Sequence, residues 1–415
     1  MSERKLITKM LKLVDVKVAH FEVKTRSRMI LLWVKPYKNG CQCPECHRRG
    51  TIVCTLKTPR YWRDICVAGQ IVYFAYCPRE IWCPTHGRLQ EEIPWADTFS
   101  RVTYRLEYLM LIYAQLMTQK AAASLLKMPT STFSDILHRT VERTRDGHRI
   151  RGLKSIGIDE VSYHKGHKYV TVVYDLERAR VVWVGPGKAR DTIDGFFKNK
   201  LSDYQKRKIK YASCDMSETF IGAIKEHCPN AKLVLDHFHI TKALIEAVDE
   251  VRKEQWREAV GDERKALKGL RWLLYRHPSN RDRGDKEVLD ALRRGNRRIY
   301  RACVLRDEFE QFWNYRATWA AKRFLKRWTT AALRSRLDPL RKFVATIRKH
   351  TDNIITFIES GGLTNAVAEG LNRIIRMLKN RASGFRNVDA FIDLIYVMVG
   401  DLDIPAQIPC RFRTL

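Results

Sequence analysis

Ser155-Ile-Gly-Ile-Asp-Glu160 opens the stretch that decides the fold. It continues as HKYVTVVYDLE (167–177) and ARVVWVGPG (179–187), reaches YASCDMS (211–217) and closes with LVLDHFHI (233–240). Three Val/Ile-rich, alternating runs follow one another across short polar breaks, the pattern of three strands joined by tight connections. A helical stretch and two further strand-like runs follow, and each of these two runs ends in an acidic residue. The order β-β-β-α-β-α-β predicts an α/β domain. Asp159 lies inside the first strand, Asp215 at the end of the fourth and Asp236 at the end of the fifth. A carboxylate in an apolar strand is costly unless a partner compensates it. A helix cap or an ion pair explains any one of them alone. For the set, a divalent cation is the better account, and oxygen-only ligands suit Mg2+ or Mn2+ rather than Zn2+.

The chain has 415 residues, enough for two to four domains. It carries 77 Lys and Arg against 46 Asp and Glu, a formal net charge of +31. Such an excess implies a polyanionic partner, most simply nucleic acid. No apolar run approaches the roughly 20 residues of a bilayer span, and MSERKLITKMLKL is too polar for a signal peptide. The expected location is the cytoplasm, on the nucleoid in a bacterial host. In that setting the 11 cysteines read as thiols and metal ligands rather than disulfides.

Residues 1–98 form the expected N-terminal segment. LVDVKVAHFEVK and MILLWVK, between residues 12 and 35, read as two strands. GCQCPECHRRG follows, in which Cys43-Pro-Glu-Cys46 has the two-residue spacing of a zinc knuckle. YCPREIWCPTHG supplies a second group: Cys77, Cys83 and His86. Knuckles on two hairpins make a zinc-ribbon-like segment. Cys83 and His86 fit knuckle spacing by themselves, whereas Cys77 ends the run IVYFAY, where a ribbon ligand often sits. Cys41, His47, Cys54 and Cys66 remain as spares. Four protein ligands leave no open position, so the Zn2+ would be structural and would hold a segment too small for its own core.

Residues 99–150 read as a helix-turn-helix. RLEYLMLIYAQLM places Leu106, Leu109, Tyr113 and Leu116 on one helical face, QKAAASLLKM is short and Ala-rich, and MPTST makes a turn with Thr130 or Ser131 as cap. The helix after it, TFSDILHRTVER, buries Phe133, Ile136, Leu137 and Val141. It leaves Ser134, Asp135, His138, Arg139 and Arg143 outward, the kind of face that enters a major groove.

Residues 151–240 hold the strands quoted above. Residues 241–355 are helical in period and rich in Arg and Lys, an all-helical insertion. Its tryptophans at 256, 272, 313, 319 and 328 read mostly as core, and its summed charge favours phosphate contact. Residues 356–415 return to the first domain with TNAVAEGLNRIIRMLKNRASGFRN. On a helix, Asn365, Glu369, Asn372, Arg376 and Lys379 share one stripe and Leu371, Ile374, Ile375 and Leu378 the other side. A single acid is thus presented among amides and cations, and a plain surface pair of Glu369 with Arg373 is the simpler alternative.

SIGIDE, SCDMS, LDHFHI and NAVAEGLN, in this order, resemble the ISL-three family of insertion-sequence transposases over nearly the whole chain. The resemblance implies an RNase H-like catalytic domain with a DDE triad of Asp159, Asp215 and Glu369. It implies Cys77 with Cys83 as the second zinc pair, although five residues separate them, and it leaves His86 as the alternative from spacing. The segment from Asp236 to His239 is similar to a motif that supports the active site or DNA binding in related groups. Two Mg2+ ions between the carboxylates would activate water against a phosphodiester and stabilise the leaving oxygen, and the freed 3′-OH would then attack target DNA. Asn365, Asn372, Arg376 and Lys379 would support the site or contact phosphate. The partners implied are double-stranded DNA, at element ends and target, and a second copy of the chain when two ends meet. The competing readings are an RNase H-like nuclease or resolvase that cuts without joining, and a non-catalytic zinc and helix-turn-helix regulator.

Overall fold

The computed structural model describes residues 2–13, 16–36, 41–147, 150–164, 166, 168–363 and 366–402. They fall into two compact units, one of residues 1–149 with the chain from 377 onward, the other of residues 150–376. Among the described residues no helix is long and apolar enough to cross a membrane.

The first unit begins with α1 (Glu3–Met10) and contains β1 (Val16–Lys24), β2 (Met29–Pro36), β3 (Cys41–Gln42), β4 (Arg49–Thr55), β5 (Arg60–Arg63), β6 (Ile71–Tyr76), β7 (Arg79–Cys83) and β8 (Gly87–Gln90). The two strands expected before residue 36 are β1 and β2. They belong to a sheet of order β1-β2-β6-β5. Its core gathers Val16, Leu32, Trp62 and Phe74 about a fully buried Trp95, which meets the Trp62 ring edge-on at 5.5 Å and the Tyr76 ring at 5.4 Å. The other sheet, β3-β4-β7-β8, is antiparallel throughout. Its buried apolar cluster is only Cys41, Cys43, Ile81 and Cys83, too little to hold four short strands by burial alone.

Three helices follow: α2 (Tyr104–Leu116), α3 (Gln119–Leu125) and α4 (Thr130–Gly147). Thr103 and Thr118 cap the first two, each accepting a backbone N–H of the first turn. In α4 the four residues expected inside, Phe133, Ile136, Leu137 and Val141, are buried. The face expected for α2 is not the one used. The helix buries Leu106, Met110, Leu111 and Ala114 and leaves Leu116 exposed. The apolar helix Val388–Val399, which the sequence reading grouped with the catalytic part, packs on α4 and α2 instead. It is apolar on most of its surface and has buried partners on two sides, which a one-sided helix of a three-helix module would not supply.

Where α2 meets the first sheet, Asp64 and Arg105 form a buried pair. Asp64 also accepts the Thr103 hydroxyl at 2.6 Å, and Arg105 reaches back to the Leu11 carbonyl at 2.7 Å. One polar knot thus joins α1, β5 and α2.

The second unit contains β9 (Ser155–His164), β10 (Lys168–Asp175), β11 (Arg180–Pro186), α5 (Arg190–Lys200), α6 (Asp203–Lys208), β12 (Tyr211–Cys214), α7 (Glu218–His227) and β13 (Lys232–Leu235). The five strands make one sheet of order β11-β10-β9-β12-β13. β9, β10 and β11 are a meander of antiparallel hairpins, whereas β12 and β13 run parallel to β9. Phe196, Phe197, Phe220 and Ile224 from α5 and α7 join Ile156, Ile158 and Val234 in the core.

The span after β13 is helical: α8 (His237–Glu258), α9 (Gly261–Gly269), α10 (Arg271–Tyr275), α11 (Arg283–Gly295), α12 (Arg297–Glu310), α13 (Thr318–Arg334), α14 (Asp338–Lys349) and α15 (Thr351–Glu359). Its core is continuous with that of the sheet through Phe309, Phe312, Trp328 and Phe343, and the Trp328 indole donates to the Leu305 carbonyl at 2.8 Å. Two of its tryptophans are not core: Trp272 is 76% and Trp319 70% exposed. α16 (Ala366–Arg381) follows the insertion.

Removing one partner of a buried ion pair strands the other charge. Arg105→Ala should therefore lower unfolding free energy by about 3–5 kcal/mol in urea denaturation. Substitution of the exposed Arg101 by alanine should change it by less than about 0.5 kcal/mol.

Candidate active site and metal knot

Three aspartates lie side by side across the second unit's sheet. β12 pairs with β9 through Ser213 and Gly157, so two residues further on Asp215 is level with Asp159. β13 pairs with β12 through Leu235 and Cys214, so one residue further on Asp236 is level with Asp215. The Asp236 N–H bonding the Cys214 carbonyl at 3.1 Å continues that ladder. Neighbouring strands are about 4.8 Å apart, and residues at the same level of parallel strands share a face. The row crosses the middle of β9 and lies just past the carboxyl ends of β12 and β13, where the strand order reverses, the position at which open α/β sheets bind ligands.

Each carboxylate is held differently. Asp159 Oδ1 accepts its neighbour Glu160's N–H at 2.7 Å, and Oδ2 accepts the side-chain amide of Asn372 at 2.6 Å. Asn372, 1% exposed on α16, in turn accepts the hydroxyl of the buried Tyr174. The chain Tyr174→Asn372→Asp159 fixes the amide's orientation, because only its nitrogen can donate to a carboxylate. Burial pushes the Asp159 carboxyl above its usual range and the adjacent Asp215 charge adds to this, while the Glu160 N–H, His239 and Asn372 oppose it. Asp215 accepts the Ser217 N–H at 3.0 Å. Asp236 caps α8 by accepting the Phe238 N–H at 3.1 Å, and His239 lies 3.8 Å from its other oxygen. Glu160 belongs to the same neighbourhood. Its carboxyl is raised by burial, lowered by Lys188 and raised by Asp215.

Glu369 is exposed, one turn before Asn372 on the same helix and therefore on the same side. Arg376 is exposed and Lys379 half-buried further along it, and Asn365 lies outside the described residues. The stripe expected to face outward therefore turns Asn372 onto the sheet. Tyr174, Glu160 and His237, which stacks near Trp313 and Phe357, were not singled out from sequence. The signal for Tyr174 was available: a tyrosine inside the run VTVVYD must find a partner for its hydroxyl.

Among the described residues, only one group brings three or more Cys, His, Asp or Glu ligand atoms within 4.8 Å of one another: Cys43, Cys46, Cys83 and His86. Cys43 and Cys46 lie in the β3–β4 turn, Cys83 and His86 in the β7–β8 turn. The two turns are alike. Each reads Cys-Pro-x followed by a ligand, and each has its next residue in the left-handed region, His47 at φ 57° and Gly87 at φ 73°. Cys46 Sγ lies 3.7 Å from Cys83 Sγ, and His86 Nδ1 is 3.5 Å from Cys43 Sγ and 3.7 Å from Cys83 Sγ. A tetrahedron with metal–sulfur bonds of about 2.3 Å has edges of about 3.8 Å, so the donors are spaced to fit such an ion. The Thr85 N–H holds the Cys83 thiol down at about 6 against burial, helped by the His86 N–H, the His86 ring and Cys46. The thiolate is the form that ligates. Cys77, which the family resemblance favoured, is not in the group. It precedes β7 by two residues and lies away from the turn, so the ligand set follows knuckle spacing and takes His86.

On α4, Arg139 is exposed and Ser134 half-buried. His138 and Arg143 are tied to carboxylates. His138 lies 3.0 Å from Asp393, whose carboxyl burial pushes up to about 6 against the opposing charge of His138. Arg143 binds Glu107 at 2.6 Å and Asp97 at 3.3 Å. Both were expected to face DNA, but the buried acids of the neighbouring helices claim them.

Residues 156–395 match the family model of ISL-three-type DDE transposases. The chain is 30% identical over 374 residues to the transposase for insertion sequence element IS1001 of Bordetella parapertussis, covering 88% of this chain and 90% of that protein. It is 28% identical over 380 residues to the transposase for insertion sequence element IS1557 of Mycobacterium tuberculosis, covering 85% and 84%.

The metal knot makes a discriminating prediction. Chelated protein titrated with Zn2+ should take up about one ion per chain, read by metal analysis and by a gain in protease resistance of the first unit. Cys77→Ser should leave this unchanged, whereas Cys43→Ser and His86→Ala should abolish or weaken it.

Proposed function

The chain belongs to the ISL-three family of DDE transposases, and we propose that it binds the ends of its element and cuts and joins DNA strands at Asp159, Asp215 and Glu369. The observation that carries this reading is the level row of aspartates with Asn372 bonded to Asp159, and it supports Glu369 as the third acid because Glu369 lies one turn before Asn372 on α16. The sheet order supports an RNase H-like catalytic domain, a five-stranded mixed sheet whose second strand alone runs against the others.

The donors in the row are oxygens, and Asp159 lies beside another negative charge in a buried setting. Hard divalent cations, Mg2+ or Mn2+, fit that donor set. When bound they supply charge stabilisation at phosphate and a water of lowered pKa. The protein's own residues do the rest. Asp159 and Asp215 hold their oxygens from a rigid sheet, and Glu369 completes the set from the helix. Asn372, fixed by Tyr174, stops Asp159 from rotating. Asp236 and His239 brace the end of β13 and the start of α8. Arg376 and Lys379 extend the same stripe toward phosphate.

In the first unit the knot of Cys43, Cys46, Cys83 and His86 holds a structural Zn2+, and α4 presents Arg139 and Ser134 to the element end. The protein works in the cytoplasm, as a dimer at least when two ends are brought together. A nuclease without strand transfer and a non-catalytic regulator are both disfavoured by the family membership.

The test is cleavage and joining of a labelled element-end duplex with Mg2+ or Mn2+. Asp215→Asn should reduce both products at least about 100-fold, since several kcal/mol of charge stabilisation are lost, while end binding persists. Asn372→Ala should be milder, about 10- to 100-fold, as for residues that orient metal ligands. Undiminished cutting by Asp215→Asn would remove the assignment.

A further inference from the structure

The helix α13 has the sequence TWAAKRFLKRWTTAALR, with five basic residues and no acid. Elsewhere in this helical region cations are paired with acids: Arg281 with Asp307, Arg283 with Glu287, Arg298 with Glu254. On α13 the cations stand without carboxylate partners among the described residues. One side of the helix is core, with Ala321, Phe324, Leu325, Trp328 and Ala332 buried. The other side carries Trp319, Arg323, Lys326, Arg327, Thr330 and Arg334, at helical steps of four, three, one, three and four. These residues line a shallow groove of about 800 Å3. Within it Trp319 is 70% exposed, a large apolar surface left in water at one end of a cationic strip.

We propose that this groove binds an unpaired stretch of DNA strand, with a base stacked on Trp319 and phosphates on Arg323, Lys326, Arg327 and Arg334. A cationic track combined with an exposed aromatic ring is the arrangement that holds single strands, because every unpaired base offers a π-face. A duplex keeps its faces stacked and has no use for the indole. From Trp319 to Arg334 the helix rises about 22 Å, room for roughly four nucleotides. The proposal rests on the transposase reading for the source of such a strand, the opened DNA near a cut. The binding itself requires no chemistry at Asp159.

Fluorescence anisotropy of a labelled mixed-sequence 20-mer tests it, with the same sequence as a duplex and as RNA for comparison. The full chain is used as Asp215→Asn, so that the result does not depend on whether the wild type cuts. Trp319→Ala should weaken single-strand DNA binding about tenfold or more and duplex binding less than about twofold, and Trp319→Phe should restore most of the loss. Arg323→Ala with Arg327→Ala should reduce the slope of log K against log salt by about 1.4 on the single strand. All three side chains are exposed, so an unchanged thermal melt should accompany each variant. No effect of Trp319→Ala, an equal loss on single strand and duplex, or tighter binding of the RNA strand than the DNA would each overturn the proposal.

Discussion

Three carboxylates at one level of three neighbouring parallel strands are an electrostatic problem that the rest of the second unit is arranged around. At Asp159, burial first and the neighbouring Asp215 charge after it oppose ionisation. The sheet places them there because its register is set by buried cross-strand rows such as Ile156, Ala212 and Leu233, which cannot slip without exposing a core face. What then steadies the row is specific: backbone N–H groups at Glu160, Ser217 and Phe238, and one amide, Asn372, delivered by a helix more than 200 residues later in the chain.

The first unit solves a different deficit. Its small sheet has four buried apolar side chains, and three of them are the cysteines Cys41, Cys43 and Cys83. Where burial contributes little, two matched turns bring sulfur and imidazole to tetrahedral spacing. The larger sheet nearby needs no such device, since Trp95 and its aromatic neighbours fill it. The unit is further tied by Asp64 and Arg105, whose burial makes the pair costly to break rather than strongly stabilising.

Much of this was legible in the chain. The Val/Ile runs and their breaks mark the five strands, and the acidic strand ends mark the row. The two Cys-Pro-x turns mark the metal knot, and spacing alone pointed to His86, whereas the family resemblance pointed to Cys77. Other features depend on partners that a sequence does not display. Asn372 reads as a supporting or phosphate-contacting group on a polar stripe, but its burial does not show in the sequence, because only the sheet's buried Asp159 makes an inward amide worth its desolvation. His138 and Arg143 read as a DNA-facing set, yet Asp393 and Glu107 are buried acids that take them first. The helix Val388–Val399 carries no mark of the helices it covers. Periodicity says which residues share a face of α13, but not that Trp319 lies on the wet one.

Both units are closed by their last pieces. Asn372 lies 213 residues after Asp159, and Asp393 lies 255 after His138. During synthesis at 5–20 residues per second, roughly 10–40 s pass between the first and second members of the Asp159–Asn372 pair. A growing chain therefore completes its N-terminal sheets long before it can tie Asn372 to Asp159. The order of translation itself thus leaves the Asp159 carboxylate without its amide until all the helices between β13 and α16 have been made.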